Sequence, residues 1–232
     1  MSQTTASKSV AGRRRFLTFA VAATIVPISG GAFALDKHHG TKVVEGAQKN
    51  LPNQKTLQTA AALRDVWLGH IFWVRNVSIA AIDKNDPAGK VAELQAVANA
   101  QAIATSIEPF YGAAAKDSFF KLLAGHYGAV KAYLVATVAG DAPAQATAIQ
   151  SLTSNAEAIA VFLSKVNPYL PKDALQGLLL AHGGHHIQQI QQLKERKYEA
   201  EAQTWEEMKN HVYQIADTTA DALAKQFAKK FA

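Results

Sequence analysis

Three of the eight histidines recur at one interval: Gly69-His70, Gly125-His126 and Ala181-His182 are evenly spaced, the step from 70 to 126 equalling the step from 126 to 182. A second set, Asn99, Asn155 and His211, follows them at one constant offset, from 70 to 99, from 126 to 155 and from 182 to 211. Imidazole is the commonest protein ligand for transition metals at neutral pH, so histidines brought to one level of a fold point to a metal site. His186 stands four residues after His182, on the same face if that segment is helical, and offers a local pair. The candidate ligands are therefore His70, His126, His182, His186 and His211. Asn99 and Asn155 would fix the imidazole tautomers by hydrogen bonds, as partners of metal-bound histidines commonly do. Nitrogen donors favour Zn or Cu over Mg or Ca, which take oxygen. Haem held axially by two histidines is a less favoured option, and thioether attachment is impossible without cysteine. The competing reading is a metal-free bundle, in which each histidine bonds the Asn of its own hairpin and is simply a satisfied core residue.

The elements that must position these residues are helices. Leu63, Val66, Trp67, His70, Val74, Val77 and Ala81 form one stripe at intervals of three and four; Phe119, Leu123, His126, Val130, Tyr133 and Thr137 form another. Breakers fall at Asp83-Lys84-Asn85-Asp86-Pro87, Pro109 to Gly112, Gly140-Asp141-Ala142-Pro143 and Asn167-Pro168-Tyr169-Leu170-Pro171. Asp86 before Pro87 fits an N-cap and a first-turn proline. Each successive pair of repeated positions is equidistant from one of these breaks, which is the condition for equal height in antiparallel neighbours. The same spacing places a further turn at Arg196-Lys197, where the chemistry of the residues gives little signal. The fold class is all-α, an up-and-down bundle of three repeated hairpins, six helices in all, with His70, Asn99, His126, Asn155, His182 and His211 in one polar layer. A ring of six helices has a wide centre, so at most three or four imidazoles converge. Gly183-Gly184 weakens its helix, at about 1 kcal/mol per glycine relative to alanine.

Other chemistry is poorly supplied. There is no cysteine, hence no disulfide and no thiolate ligand. No Gly-x-Ser-x-Gly, P-loop, Gly-x-Gly-x-x-Gly or His-Glu-x-x-His occurs, and the Glu-x-x-His pairs of carboxylate-bridged di-iron bundles are missing. A metal-dependent oxidoreductase ranks below a metal-binding protein and below a metal-free structural or interaction module. Trp67, Phe72, Trp73 and Trp205 flank the layer and read as core.

The segment Gly12-Arg13-Arg14-Arg15-Phe16-Leu17-Thr18 resembles a twin-arginine export signal, followed by an apolar run to Ile28 and the cleavage-like Ala32-Phe33-Ala34. That implies a leader over 1–34, a polar arm over 35–54, and a bundle over 55–232 that works in the periplasm or outside the cell. The leader carries four of the 24 basic residues and no acid, so the remainder holds 20 against 18 acids, a net +2. No basic patch survives in it, which excludes nucleic acid; its protein partners and oligomeric state are left open. The apolar run is shorter than the roughly 20 residues a span needs, so no membrane span is expected after cleavage. His38-His39 in the arm would bind metal loosely at most. Trp67-Leu68-Gly69-His70-Ile71-Phe72-Trp73-Val74-Arg75, with Phe110-Tyr111-Gly112 and Gln226-Phe227, resembles a group of small bacterial helical-bundle proteins with a Trp-x-x-His-x-x-Trp-x-Arg start. The resemblance implies a fold and no activity.

Overall fold

A computed structural model describes residues 53–232. The leader, most of the arm and His38-His39 lie outside the described residues. Within them the chain is all-helical, with no strand. Six long helices, α1 (Gln54–Ile82), α2 (Asp86–Ser106), α4 (Ala113–Ala139), α5 (Ala142–Val166), α6 (Lys172–Lys194) and α7 (Tyr198–Gln226), are joined by tight connections. Two single-turn helices, α3 (Glu108–Tyr111) and α8 (Ala228–Phe231), complete it.

The boundaries follow from caps. The side chains of Asn53, Asn85 and Asp141 accept from Thr56 N, Ala88 N and Ala144 N and so satisfy first-turn amides of α1, α2 and α5. The cap of α2 is Asn85 rather than Asp86, one residue earlier than the sequence suggests, because Asp86 is already helical. Gly140 ends α4 in the left-handed region at φ 74°. The connection at Arg196-Lys197 is a turn as its spacing requires, with Arg196 at φ 59° and an ion pair to Asp83 at 2.8 Å.

The helices do not form a hollow ring. α1, α4 and α6 touch one another, and each of the other three bridges two of them: α2 spans α1 and α4, α5 spans α4 and α6, α7 spans α6 and α1. Short connections make successive long helices antiparallel, so the inner three run in one direction. Small residues let the outer helices approach: Ala92, Ala96, Ala100 and Ala104 on α2 are buried, as are Ala148, Leu152, Ala156 and Ala160 on α5. Thr204, Met208, Val212 and Ala216 on α7 are buried at the corresponding positions. On the inner helices the matching sets are Leu63, Phe119 and Leu175, then Trp67, Leu123 and Leu179, all buried. Two apolar clusters result. One is built on Leu63, Trp67, Phe119 and Leu179, the other on Val74, Val77, Val130 and Tyr133, and the layer histidines fall between them in sequence. Phe72 departs from its expected core role: it is 46% exposed. Among the described residues one helix, α4, is long and apolar enough to cross a membrane, and half of that window is buried in the bundle.

At the level of the layer, the outer helices are tied to the inner ones through side-chain amides. Asn99 Nδ2 donates to the Val66 carbonyl at 3.0 Å, and Asn155 Nδ2 to the Leu122 carbonyl at 2.9 Å. Both amides press on glycine: a Cβ at Gly69 would sit 2.7 Å from Asn99 Nδ2, and one at Gly125 would sit 3.0 Å from Asn155 Nδ2. Gly69→Ala is therefore expected to cost about 1–3 kcal/mol through forced displacement. Gly128→Ala, whose Cβ would meet nothing within 4 Å, is expected to be neutral or to gain up to about 1 kcal/mol of helix propensity. Urea midpoints of the two variants check this; equal shifts would rule out the amide–glycine contact as the reason for the motif.

Candidate metal centre

The inner triangle brings His70 on α1, His126 on α4, and His182 and His186 on α6 together. All four side chains are buried, at 5%, 6%, 1% and 1% exposure. Each offers one ring nitrogen, and these four atoms lie within 4.8 Å of one another. The sequence allows at most three or four imidazoles to converge, and four do, because only three helices surround the centre.

The separations suit a single ion. Zn–N bonds of about 2.0–2.1 Å in a tetrahedron place ligand nitrogens about 3.3–3.4 Å apart, and His182 Nε2 and His186 Nε2 are 3.2 Å apart. No other pair has to close by more than about 1.5 Å from the 4.8 Å limit to reach that separation. With each ring centre about 1.2 Å beyond its ligating nitrogen, a tetrahedron of imidazoles puts ring centres about 5.2–5.4 Å apart. The six separations here run from 4.6 to 5.9 Å.

The hydrogen-bond pattern points the same way. His70 Nε2 and His126 Nε2 are buried without a partner, and His182 and His186 have only each other's Nε2. Each unsatisfied buried polar atom costs about 1–3 kcal/mol. Bringing four ring nitrogens together inside an apolar core is thus unfavourable for the protein alone, and one shared cation would satisfy all four. The Nδ1 atoms of His182 and His186 also lack partners, so packing rather than a hydrogen bond orients those rings. Trp67 contributes to that packing, its ring meeting those of His70 and His182 edge-on at 6.0 Å.

His211, Asn99 and Asn155 do not join the group in the way their spacing suggests. His211 Nε2 lies 2.8 Å from the Leu178 carbonyl. It thus occupies the place that Asn99 and Asn155 take against Val66 and Leu122, the three acceptors being as evenly spaced as the histidines. The two asparagines bind backbone rather than imidazole, and their Oδ1 atoms are without partners. They brace helices and do not set tautomers. His185, adjacent to His186, is half-buried with its ring 5.3 Å from that of His211 and stays outside the group of four.

One buried group has no signal in the sequence. Glu201 is 2% exposed and accepts from Nε and Nη2 of Arg75 at 2.6 and 2.7 Å and from Gln189 Nε2 at 2.8 Å. Nothing distinguishes it from Glu199 in the sequence; only the contacts of α7 with α1 and α6 do. Its oxygens are engaged by these donors, and it is not among the four gathered ligands.

Comparison with family models, with curated proteins and with solved structures gave no match.

Burial holds all four imidazoles neutral, the form that ligates metal. Desolvation, with a contribution from His126, pushes His70 down to about 3; desolvation alone pushes His126 down to about 4. His182 and His186 are driven well below their ordinary value by desolvation first and by neighbouring histidines second. In the unfolded chain these groups titrate near 6.5. Their folded pKa values are lower, so the unfolded state binds more protons once the pH falls below about 6.5, and stability is lost from there towards 4. The metal-free bundle should lose about 1.4 kcal/mol per pH unit for each buried histidine. Denaturant titrations at pH 7.5, 6 and 5 measure this, and His186→Leu should reduce the slope by one such increment. Level stability between pH 7 and 5 would contradict four buried neutral imidazoles.

Proposed function

We propose that this protein is an exported helical bundle that holds one transition-metal ion, zinc or copper, between His70, His126, His182 and His186. The observation that carries the reading is the convergence of four buried imidazole nitrogens, from three helices, with no other hydrogen-bond partner for most of them. The donor set is four neutral nitrogens with no carboxylate or thiolate, which suits zinc and copper and disfavours calcium and magnesium. A tetrahedral spread of rings suits zinc without distortion, whereas divalent copper prefers a flatter arrangement. Haem fits poorly: with two imidazoles as axial ligands, the macrocycle would need the space the other two occupy.

Four protein ligands leave no open coordination position, which is the pattern of a structural or carrier site rather than a hydrolytic one. The bundle reads as three copies of one helical hairpin, a view supported by the burial shared at equivalent positions and by the three equivalent bonds to Val66, Leu122 and Leu178. Export by the twin-arginine route, which carries folded proteins, accords with a site that closes around its ion during folding.

Protein isolated from its native compartment should contain about one equivalent of metal by elemental analysis. Added zinc at a thousandfold excess over its dissociation constant should stabilise the metal-free form by about 4 kcal/mol. His126→Ala and His186→Ala should each abolish that stabilisation, while His211→Ala should leave the metal content intact. Metal content far below one equivalent and indifferent to His126→Ala, with melting unmoved by zinc or copper, would sink the reading and leave a metal-free interaction module.

A further inference from the structure

The two faces of the histidine layer differ. Because α1, α4 and α6 run in one direction, residues that follow the layer lie on one side of it and residues that precede it lie on the other. His186 is on the following side, four residues after His182. The positions equivalent to His186 on α4 and α1, four residues after His126 and His70, are Val130 and Val74, both buried, so this fourth ligand is a departure of α6 alone. On the preceding side lies a largely enclosed cavity whose walls include Leu63, Phe119 and Leu175, each seven residues before a layer histidine.

That cavity is apolar and small. Its volume is about 30 Å³, roughly twice what one water requires. Its walls offer a water almost no partners: the polar side chains are Ser106 and Thr219, both half-buried, and each hydroxyl donates to a backbone carbonyl of its own helix. A water needs two to four polar partners to be held, so the space favours an apolar guest. Its roof is Trp67, which lines the cavity and also meets the rings of His70 and His182. The chamber therefore ends one aromatic ring away from the layer, on the side that His186 does not cover.

We propose that this chamber takes one small apolar diatomic molecule, of the size and polarity of dioxygen or nitric oxide, and presents it beside the face of the metal site opposite His186, one aromatic ring away and outside the ion's four ligands. The second half of the statement rests on the metal reading; the first half does not. His186 closes one axial face of the three-histidine layer, and Trp67 separates the other from a dry chamber. An ion held there would keep its four imidazoles, with the guest one ring away across Trp67 and the apolar walls screening that face from water.

Xenon is the probe, since it enters dry apolar cavities without needing hydrogen bonds. The metal-free full chain should show a saturable, single-site xenon-129 shift, lost in Ile215→Phe and in Thr219→Met; the methionine enters from a half-buried position and disturbs packing less if the phenylalanine variant fails to fold. Absence of a saturable shift, or its survival in a folded filling variant, overturns the chamber. In the cobalt(II)-loaded chain the same xenon signal should show a paramagnetic shift and faster relaxation, because chamber and layer share Trp67. Stoichiometric cobalt with an unaffected xenon signal overturns the presentation to the metal face. Failure to load cobalt, zinc or copper, with xenon still bound, removes the metal reading and that second half together while the chamber stands.

Discussion

Neutral imidazole in an apolar core is the interaction on which the rest of this structure depends. Four buried rings with their nitrogens turned inward cost several kcal/mol unless those nitrogens find a common partner. The bundle confines that cost to one level. Apolar side chains precede and follow the layer along every inner helix, from Leu63 and Trp67 on one side to Val74 and Val77 on the other. No carboxylate joins the group of four. The buried carboxylate of Glu201 is held by Arg75 and Gln189, so its charge is balanced independently of the imidazoles. The layer is thus left as a neutral donor set, which distinguishes it from the acid-rich sites of bundles that take harder cations.

Much of this was legible in the sequence because the interval between His70, His126 and His182 is unbroken. Turns chemically well marked, such as Gly140-Asp141, and one poorly marked, Arg196-Lys197, both follow from it. The common height of the three histidines follows as well. What the interval does not contain is the lateral arrangement. Whether six helices form a ring or a triangle with three outriders depends on how closely α2, α5 and α7 approach, and hence on stripes such as Ala92, Ala96, Ala100 and Ala104, which an alanine-rich chain offers on every face. The partners of Asn99 and Asn155 were also hidden. An amide beside an imidazole on paper turns out to lie against a glycine Cα and a helix carbonyl, and the dipeptide Gly-His carried that information without announcing it.

The places where α6 and α7 depart from the two preceding helix pairs are the places where the site acquires its character. Val74 and Val130 give way to His186, which adds a fourth imidazole to the three. Val77 and Tyr133 give way to Gln189, which reaches Glu201. Ile71 and Tyr127 give way to Gly183, buried without a side chain. Asn99 and Asn155 are matched by His211, and at the same time Gly69 and Gly125 are matched by Ala181. A symmetric trio of imidazoles would leave both faces of the layer alike, whereas these differences on α6 and α7 give it a closed face and an apolar one.

The three ties between outer and inner helices explain how such a layer is held in register by the protein alone. Val66, Leu122 and Leu178 each lie four residues before a layer histidine, so in a regular helix their carbonyls already accept from the amides of His70, His126 and His182. Asn99, Asn155 and His211 supply a second interaction to the same oxygens. Each tie is worth about 1 kcal/mol net, yet all three act at one height, one turn from the ligands. Sliding any inner helix along its neighbour would break its tie and lift its histidine out of the layer together. Drawing the four ring nitrogens onto one common partner would then take small ring movements rather than helix motion, since the conformational cost of gathering them has already been met in folding.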